Sequence, residues 1–292
     1  MSRKVNFDAL TFCDHAAHGR LADVQEMLES GKVLVNGDLH RAFVRAAENC
    51  RVDVVDFLLQ HAMCDPSADD NRAVRLAAYF GHLAVVERLL RDLRVDPSAD
   101  NNYAVRWAAR NGHVAIVERL LQDERVDPSA DYNGALRRAA ANGHLAVVDR
   151  LLLDERVGPT ARDNDAIASA AREGHLAVVK RLLQDKRVDP SANENRAIRC
   201  ASEGGHLAVV DRLLEDDRVD ASVALEHSRS EDRKRFECRE RLTEICVALQ
   251  DLELPAWVTI KILYAARPWS TLPLHSKWNL VCTIKHFRDK KQ

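Results

Sequence analysis

The chain has 292 residues, more than one ordinary globular domain, so either two domains or an elongated array is expected. Lys and Arg total 43 against 45 Asp and Glu, a formal net charge of -2, which argues against a general binder of polyanions, whether nucleic acid or acidic membrane. Hydrophobic residues make up 46% but aromatics only 5%, and the apolar set is mostly Ala, Val and Leu, suited to thin, closely packed helices rather than to one bulky core.

The opening MSRKVNFDAL has no apolar core of signal-peptide length, and no apolar run approaches the roughly 20 residues that cross a bilayer. The expectation is a soluble, intracellular protein of the cytoplasm or nucleus. Cysteines stand at 13, 50, 64, 200, 238, 246 and 282 without Cys-x-x-Cys spacing, so neither a disulfide framework nor a zinc module is indicated and reduced, mostly buried thiols are expected.

Along the chain a period of 31 dominates. Gly81-His82, Gly112-His113, Gly143-His144, Gly174-His175 and Gly205-His206 keep one register, and Asp65-Pro66, Asp96-Pro97, Asp127-Pro128, Gly158-Pro159, Asp189-Pro190 and Asp220-Ala221 keep the same one. Counting back from Gly81 reaches Cys50 and Gly19, in degraded copies, so seven repeats are read, the first two atypical. Repetition at this length marks a stack in which each repeat buries its apolar face on its neighbours.

Each repeat resolves into two helices. In the third, Asn71 is a candidate N-cap, with Ala73, Val74, Ala77 and Ala78 as a narrow apolar stripe at helical spacing. Gly81 supplies a helix end, Leu83, Val86, Leu89 and Leu90 mark the buried face of a second helix, and Pro97 stops it. The pattern Ala-Ala-x-x-Gly-His-x-x-Val-Val-x-x-Leu-Leu, whole in Ala77 to Leu90 and with Ile116 for one Val in Ala108 to Leu121, resembles the ankyrin repeat over roughly positions 5–220. The resemblance implies an all-α solenoid of about seven helix-turn-helix repeats with short connecting turns, and a protein-protein interaction scaffold. Arg72-Ala73-Val74-Arg75 replaces the family's Thr-Pro-Leu-His, and the repeat is about two residues shorter than the family norm, which points to a shortened connecting finger.

The repeated histidines invite a metal reading, but equivalent residues of stacked helices stand roughly 8 to 10 Å apart, whereas zinc needs several ligands within about 2 Å of one ion. They are expected to hold the turn by backbone hydrogen bonds. Arg88, Arg119, Arg150, Arg181 and Arg212 precede Asp92, Asp123, Asp154, Asp185 and Asp216 by four residues, which suggests ion pairing along each second helix. A further series, Arg75, Arg106, Arg137 and Arg199, is expected to bond across the stack.

Because the repeats form an internal comparison, the positions that vary are the ones released from packing. They gather on the first helix, and in ankyrin proteins the residues just after the Ala pair face the concave groove. The resemblance therefore places a partner surface at Tyr79, Phe80, Tyr103, Trp107, Arg110, Asn111, Tyr132, Arg138, Asn142, Arg172 and Glu173, aromatic in repeats three to five and charged beyond. Tyr, Trp and Arg are the residue types that dominate interface energetics. No phosphate-cradling glycine loop, His-Glu-x-x-His or nucleophile motif is present, so neither catalysis nor a cofactor is expected. The expected partner is another protein, engaged by a monomer.

The period ends near Asp220, giving an array over 1–220 and a C-terminal region, 221–292, expected to be helical. Capping of the array is one role for it. Leu254-Pro255 with Ile262-Leu263 resembles the opening of an F-box, although Ala256 stands where an acid is usual, and Trp257, Trp269 and Trp278 follow. These residues form a second candidate docking site, which would make the chain a substrate adaptor for a ubiquitin ligase.

Overall fold

The computed structural model describes residues 7–30, 36–220 and 223–224. Contacts divide the chain between Ala161 and Arg162 into two compact bodies. Fourteen helices and no strands occur among the described residues. They come in pairs, one pair per repeat: α1 (Phe7–His18) with α2 (Leu21–Glu29), α3 (Asn36–Glu48) with α4 (Val52–Leu59), α5 (Ala68–Phe80) with α6 (Leu83–Leu89), and α7 (Ala99–Arg110) with α8 (Val114–Leu121). The remaining pairs are α9 (Ala130–Ala141) with α10 (Leu145–Leu152), α11 (Ala161–Arg172) with α12 (Leu176–Leu182), and α13 (Ala192–Gly204) with α14 (Leu207–Leu213).

In the first body, first helices pack on first helices (α1 on α3, α3 on α5, α5 on α7, α7 on α9) and second helices on second (α2 on α4, α4 on α6, α6 on α8, α8 on α10). In the second body α12 and α13 both pack on α14. Small residues make this close stacking possible: Ala73, Val74, Ala77 and Ala78 are at most 1% exposed, as their spacing predicts. On α6 the buried stripe is Val85, Val86 and Leu89, with Leu90 just behind it. Leu83, expected in that stripe, opens the helix at its edge and is half-buried, while Val85 takes the inward position. Each fully buried Leu or Val contributes roughly 1.5 to 3 kcal/mol through the water it sheds.

The opening residues of α5, α7, α9, α11 and α13 hold the largest departure from expectation. Asp69, Asp70 and Asn71 all have left-handed backbones, with φ of 52°, 55° and 59°, and the Asn71 N–H donates to Ser67 O at 2.9 Å, closing one left-handed turn. The same triplet recurs at Asp100-Asn101-Asn102, Asp131-Tyr132-Asn133, Arg162-Asp163-Asn164 and Asn193-Glu194-Asn195. A left-handed turn costs roughly 1 to 2 kcal/mol per residue, least for Asn and Asp, so something must hold it. Asn71 does part of this, though not as the expected N-cap. Its side chain makes no cap bond to its own helix; it is 7% exposed, and its Oδ1 accepts the Asp96 N–H of the next repeat at 2.7 Å. Asn102 to Asp127, Asn133 to Gly158, Asn164 to Asp189 and Asn195 to Asp220 repeat the bond.

The Asp-Pro turn is built as its residues suggest. Asp96 Oδ1 accepts both the backbone N–H and the hydroxyl of Ser98, at 2.9 and 2.6 Å. Pro97, however, lies too far on to stop the second helix. α6 ends at Leu89, and the chain turns where Asp92 accepts the Arg94 N–H.

That Asp is also the correction to the expected Arg88–Asp92 ladder. Asp92 is engaged by Arg94, whose Nη2 donates at 2.7 Å and whose Nη1 reaches the Cys64 carbonyl of the preceding repeat at 3.0 Å. Arg125 to Val95, Arg156 to Val126 and Arg218 to Val188 make the same backward bond. Arg88 pairs instead with Asp56 of the preceding repeat. The Asp-x-Arg geometry wins because its fork satisfies a carboxylate and a carbonyl together. Of the four described cysteines, Cys13 and Cys64 are buried, Cys200 is half-buried and Cys50 is exposed, so the thiols are less buried than expected. Burial pushes the Cys64 thiol up to about 12.

Candidate functional site

The histidines belong to the scaffold. His82, His113, His144 and His206 each place Nε2 at 2.8 to 3.1 Å from a carbonyl at the end of the first helix one repeat earlier: Glu48, Tyr79, Arg110 and Arg172 respectively. The rings of His113, His144 and His206 also lie over the preceding repeat's glycine turn; a Cβ on Gly112, whose φ is +79°, would stand 2.7 Å from the His144 ring. No group of three or more His, Cys, Asp and Glu among the described residues is arranged to hold a metal ion.

What the scaffold leaves free collects on α5, α7 and α9. Tyr79 and Phe80 meet edge to face with centroids 4.8 Å apart, Tyr79 lies 5.5 Å from Trp107, and Trp107 lies 5.3 Å from Tyr103. These four candidate residues therefore form one continuous aromatic strip. Phe80 is 44% exposed, while Tyr79, Tyr103 and Trp107 are half-buried, so part of each ring fills space between repeats and part faces outward. Tyr132 stands in the left-handed turn that opens α9 and is 66% exposed.

Guanidinium groups flank the strip. Arg110 lies over the Trp107 ring at 4.5 Å, Arg138 at 5.9 Å, and Arg75 over Tyr103 at 5.0 Å. Arg110 is exposed and makes no ion pair among the described residues. Arg75, as expected of its series, bonds across the stack to the Asp100 carboxylate, and its Nη2 also donates to the Asp69 carbonyl at 3.0 Å. Arg106 repeats this with Asp131, at 3.1 Å, and with the Asp100 carbonyl, at 3.0 Å. These arginines thus clamp the left-handed turns.

Asp131 is an acid that the reading of variable positions passed over. Arg138 at 3.0 Å, Arg106 at 3.1 Å and Arg137 at 3.9 Å all converge on its carboxylate. Arg106 reaches Asp131 over the 25-residue offset that the asparagine ladder also uses, a signal present in the sequence once that offset is known. Burial opposes ionisation of Asp131, but the Arg138 hydrogen bond and the three positive charges outweigh it and hold the carboxyl below its usual range. Burial, then the charge of Arg106, pulls Arg138 below its ordinary value. Gly134 makes room for the cluster, since a Cβ there would lie 2.6 Å from Arg138 Nη1.

The remaining candidates divide. Asn111 Nδ2 donates to the Tyr79 carbonyl and Asn142 Nδ2 to the Arg138 carbonyl, both at 2.8 Å, so their amides close helix ends. Arg172 and Glu173 are exposed and pair with each other at 3.4 Å in the second body. Trp257, Ile262, Leu263, Trp269 and Trp278 lie outside the described residues. Beside the strip a pocket of about 380 Å³ is lined by Asp69, Asp70, Arg72, Arg75, Leu76 and Tyr103.

No helix among the described residues is long and apolar enough to cross a membrane. A search of curated proteins returned no match. A family profile described as ankyrin repeats (3 copies) matches residues 74–165 and 136–224, and one described as ankyrin repeats (many copies) matches 39–90. Ankyrin repeats are generally modules of protein-protein interaction. Paired helices at a constant period, Gly-His turns locked to the preceding repeat and profile matches across most of the chain together place this protein in the ankyrin-repeat family.

Proposed function

We propose that the chain is a non-catalytic interaction scaffold that binds a partner protein on the first-helix face of repeats three to five. The observation carrying this reading is the aromatic strip Tyr79-Phe80-Tyr103-Trp107 with Arg110 stacked at its edge. Rings joined in this way present a preorganised apolar surface, and Trp, Tyr and Arg are the residues whose truncation costs most at interfaces. Nothing in the packing of the stack requires Phe80 to be large, since the equivalent residues are Asn111, Asn142, Glu173 and Gly204.

The adaptor reading rests on residues 254–278, which lie outside the described part of the chain. Two variants separate the readings. Phe80→Ala with Trp107→Ala is expected to weaken partner binding, measured by calorimetry, by more than about 2 kcal/mol with helicity unchanged. A chain ending at Leu252 is expected to keep that partner. Loss of the partner only in the shortened chain would move the function to the C-terminal region.

A further inference from the structure

On the reading that this face binds a protein, we infer that it takes an acidic linear peptide segment, with a carboxylate at Arg110 and an apolar side chain against Phe80 and Trp107. Three features carry the inference. First, α7 and α9 carry Arg106, Arg110 and Arg138 on one face beside two acids of their own, Asp100 and Asp131, so positive charge is in excess on these helices although the whole chain is slightly acidic. Second, the Arg110 guanidinium carbon lies over the Trp107 ring at 4.5 Å, with no carboxylate of the described chain to meet it. A guanidinium over an aromatic ring can still offer its N–H donors to a bidentate carboxylate. Third, exposed Phe80 adjoins Tyr79, and Tyr79 adjoins Trp107, so apolar surface begins within one side chain of the charge.

The same geometry disfavours a polyphosphate. Asp69 and Asp70 line the adjoining pocket and Asp100 sits beside Arg75, so successive phosphates along the strip would meet carboxylates. A peptide can place its acids at Arg110 and neutral or basic groups at the pocket.

The test is selection of peptides from a random dodecapeptide display library by the full-length chain, followed by titration of the selected peptides. Enrichment of peptides that pair acids with a neighbouring apolar residue is expected. Their affinity should fall about tenfold in Arg110→Glu, the scale of one lost charge-assisted contact, with a smaller loss in Arg110→Gln. It should also weaken as salt rises. Arg110 is exposed, so both variants should keep the helix content of the parent chain, and Arg110→Gln, which adds no anion to the last turn of α7, should stay close to its melting temperature. Neutral or basic peptides that ignore Arg110→Glu but are lost in Phe80→Ala/Trp107→Ala would overturn the acidic partner and leave the binding face standing. Peptides indifferent to both sets of variants would overturn the face itself. An empty selection would overturn a linear segment as the occupant. Labelled oligothymidine that competes with the peptides and is lost in Arg110→Glu would replace the peptide by a nucleic acid.

Discussion

Asparagine carries the junction between repeats. Asn102 is buried, and its Oδ1 accepts the Asp127 N–H at 2.8 Å. Asn102→Ala leaves that donor without its partner and is expected to cost about 1 to 2 kcal/mol, read as a lower urea midpoint with helix content retained. The sequence exposed this residue by its recurrence but gave it the wrong task. Asn before an apolar stripe suggests a cap, and only the left-handed backbone turns the amide away from its own helix toward the next repeat. The acidic partners of the Asp-x-Arg clamp give a second handle. The Arg94 hydrogen bond is the main influence holding Asp92 below its usual range, and Arg125, Arg156, Arg187 and Arg218 act likewise on Asp123, Asp154, Asp185 and Asp216. A carboxyl depressed by folding stabilises the fold above its unfolded pKa, near about 3.9, and loses that contribution as pH falls through the lower folded value. Stability should therefore drop as pH goes from about 5 to about 2. Asp123→Asn should flatten the drop in chemical denaturation; an unchanged slope would mean that the clamp does not titrate with folding.

At the scale of the element, the left-handed turn is where strain is stored. Its middle position is Asp70, Asn101, Tyr132, Asp163 or Glu194, and Tyr132 with φ of 54° is the residue least suited to it. Tyr132→Asn copies repeat four and should stabilise the chain by about 0.5 to 1 kcal/mol, seen as a raised melting temperature; a lowered one would show that the Tyr132 side chain contributes more than its backbone costs. Helix existence was legible from the Ala and Leu stripes because burial on a helix follows its 3.6-residue period. The turn was not legible, because Asp-Pro-Ser-Ala-Asp reads as an ordinary tight turn and no local rule anticipates three consecutive left-handed residues without glycine. The aromatic strip was legible as a set of variable positions. Arg110 and Arg138 were legible in the same set; the carboxylate of Asp131 through which Arg106 and Arg138 meet was not, because that contact exists only once α7 and α9 are packed.

Within each of the two bodies, three ladders of side chain to backbone bonds tie neighbouring repeats, as in His82 back to Glu48, Arg94 back to Cys64, and Asn71 forward to Asp96. They occupy the repeated residues, which leaves the non-repeated ones for recognition. The central claim is that recognition happens on the first-helix face, and the most direct measurement is site-specific photo-cross-linking. A photoreactive residue would be placed in turn at Phe80 and at Arg110, and for comparison at Leu93 and Leu153, which are 92% and 72% exposed in the turns after α6 and α10. Cross-linking of one protein partner from Phe80 and Arg110, and none from Leu93 and Leu153, is the predicted result. A partner captured from Leu93 or Leu153 and not from Phe80 would place recognition on the other side of the repeats and contradict the account.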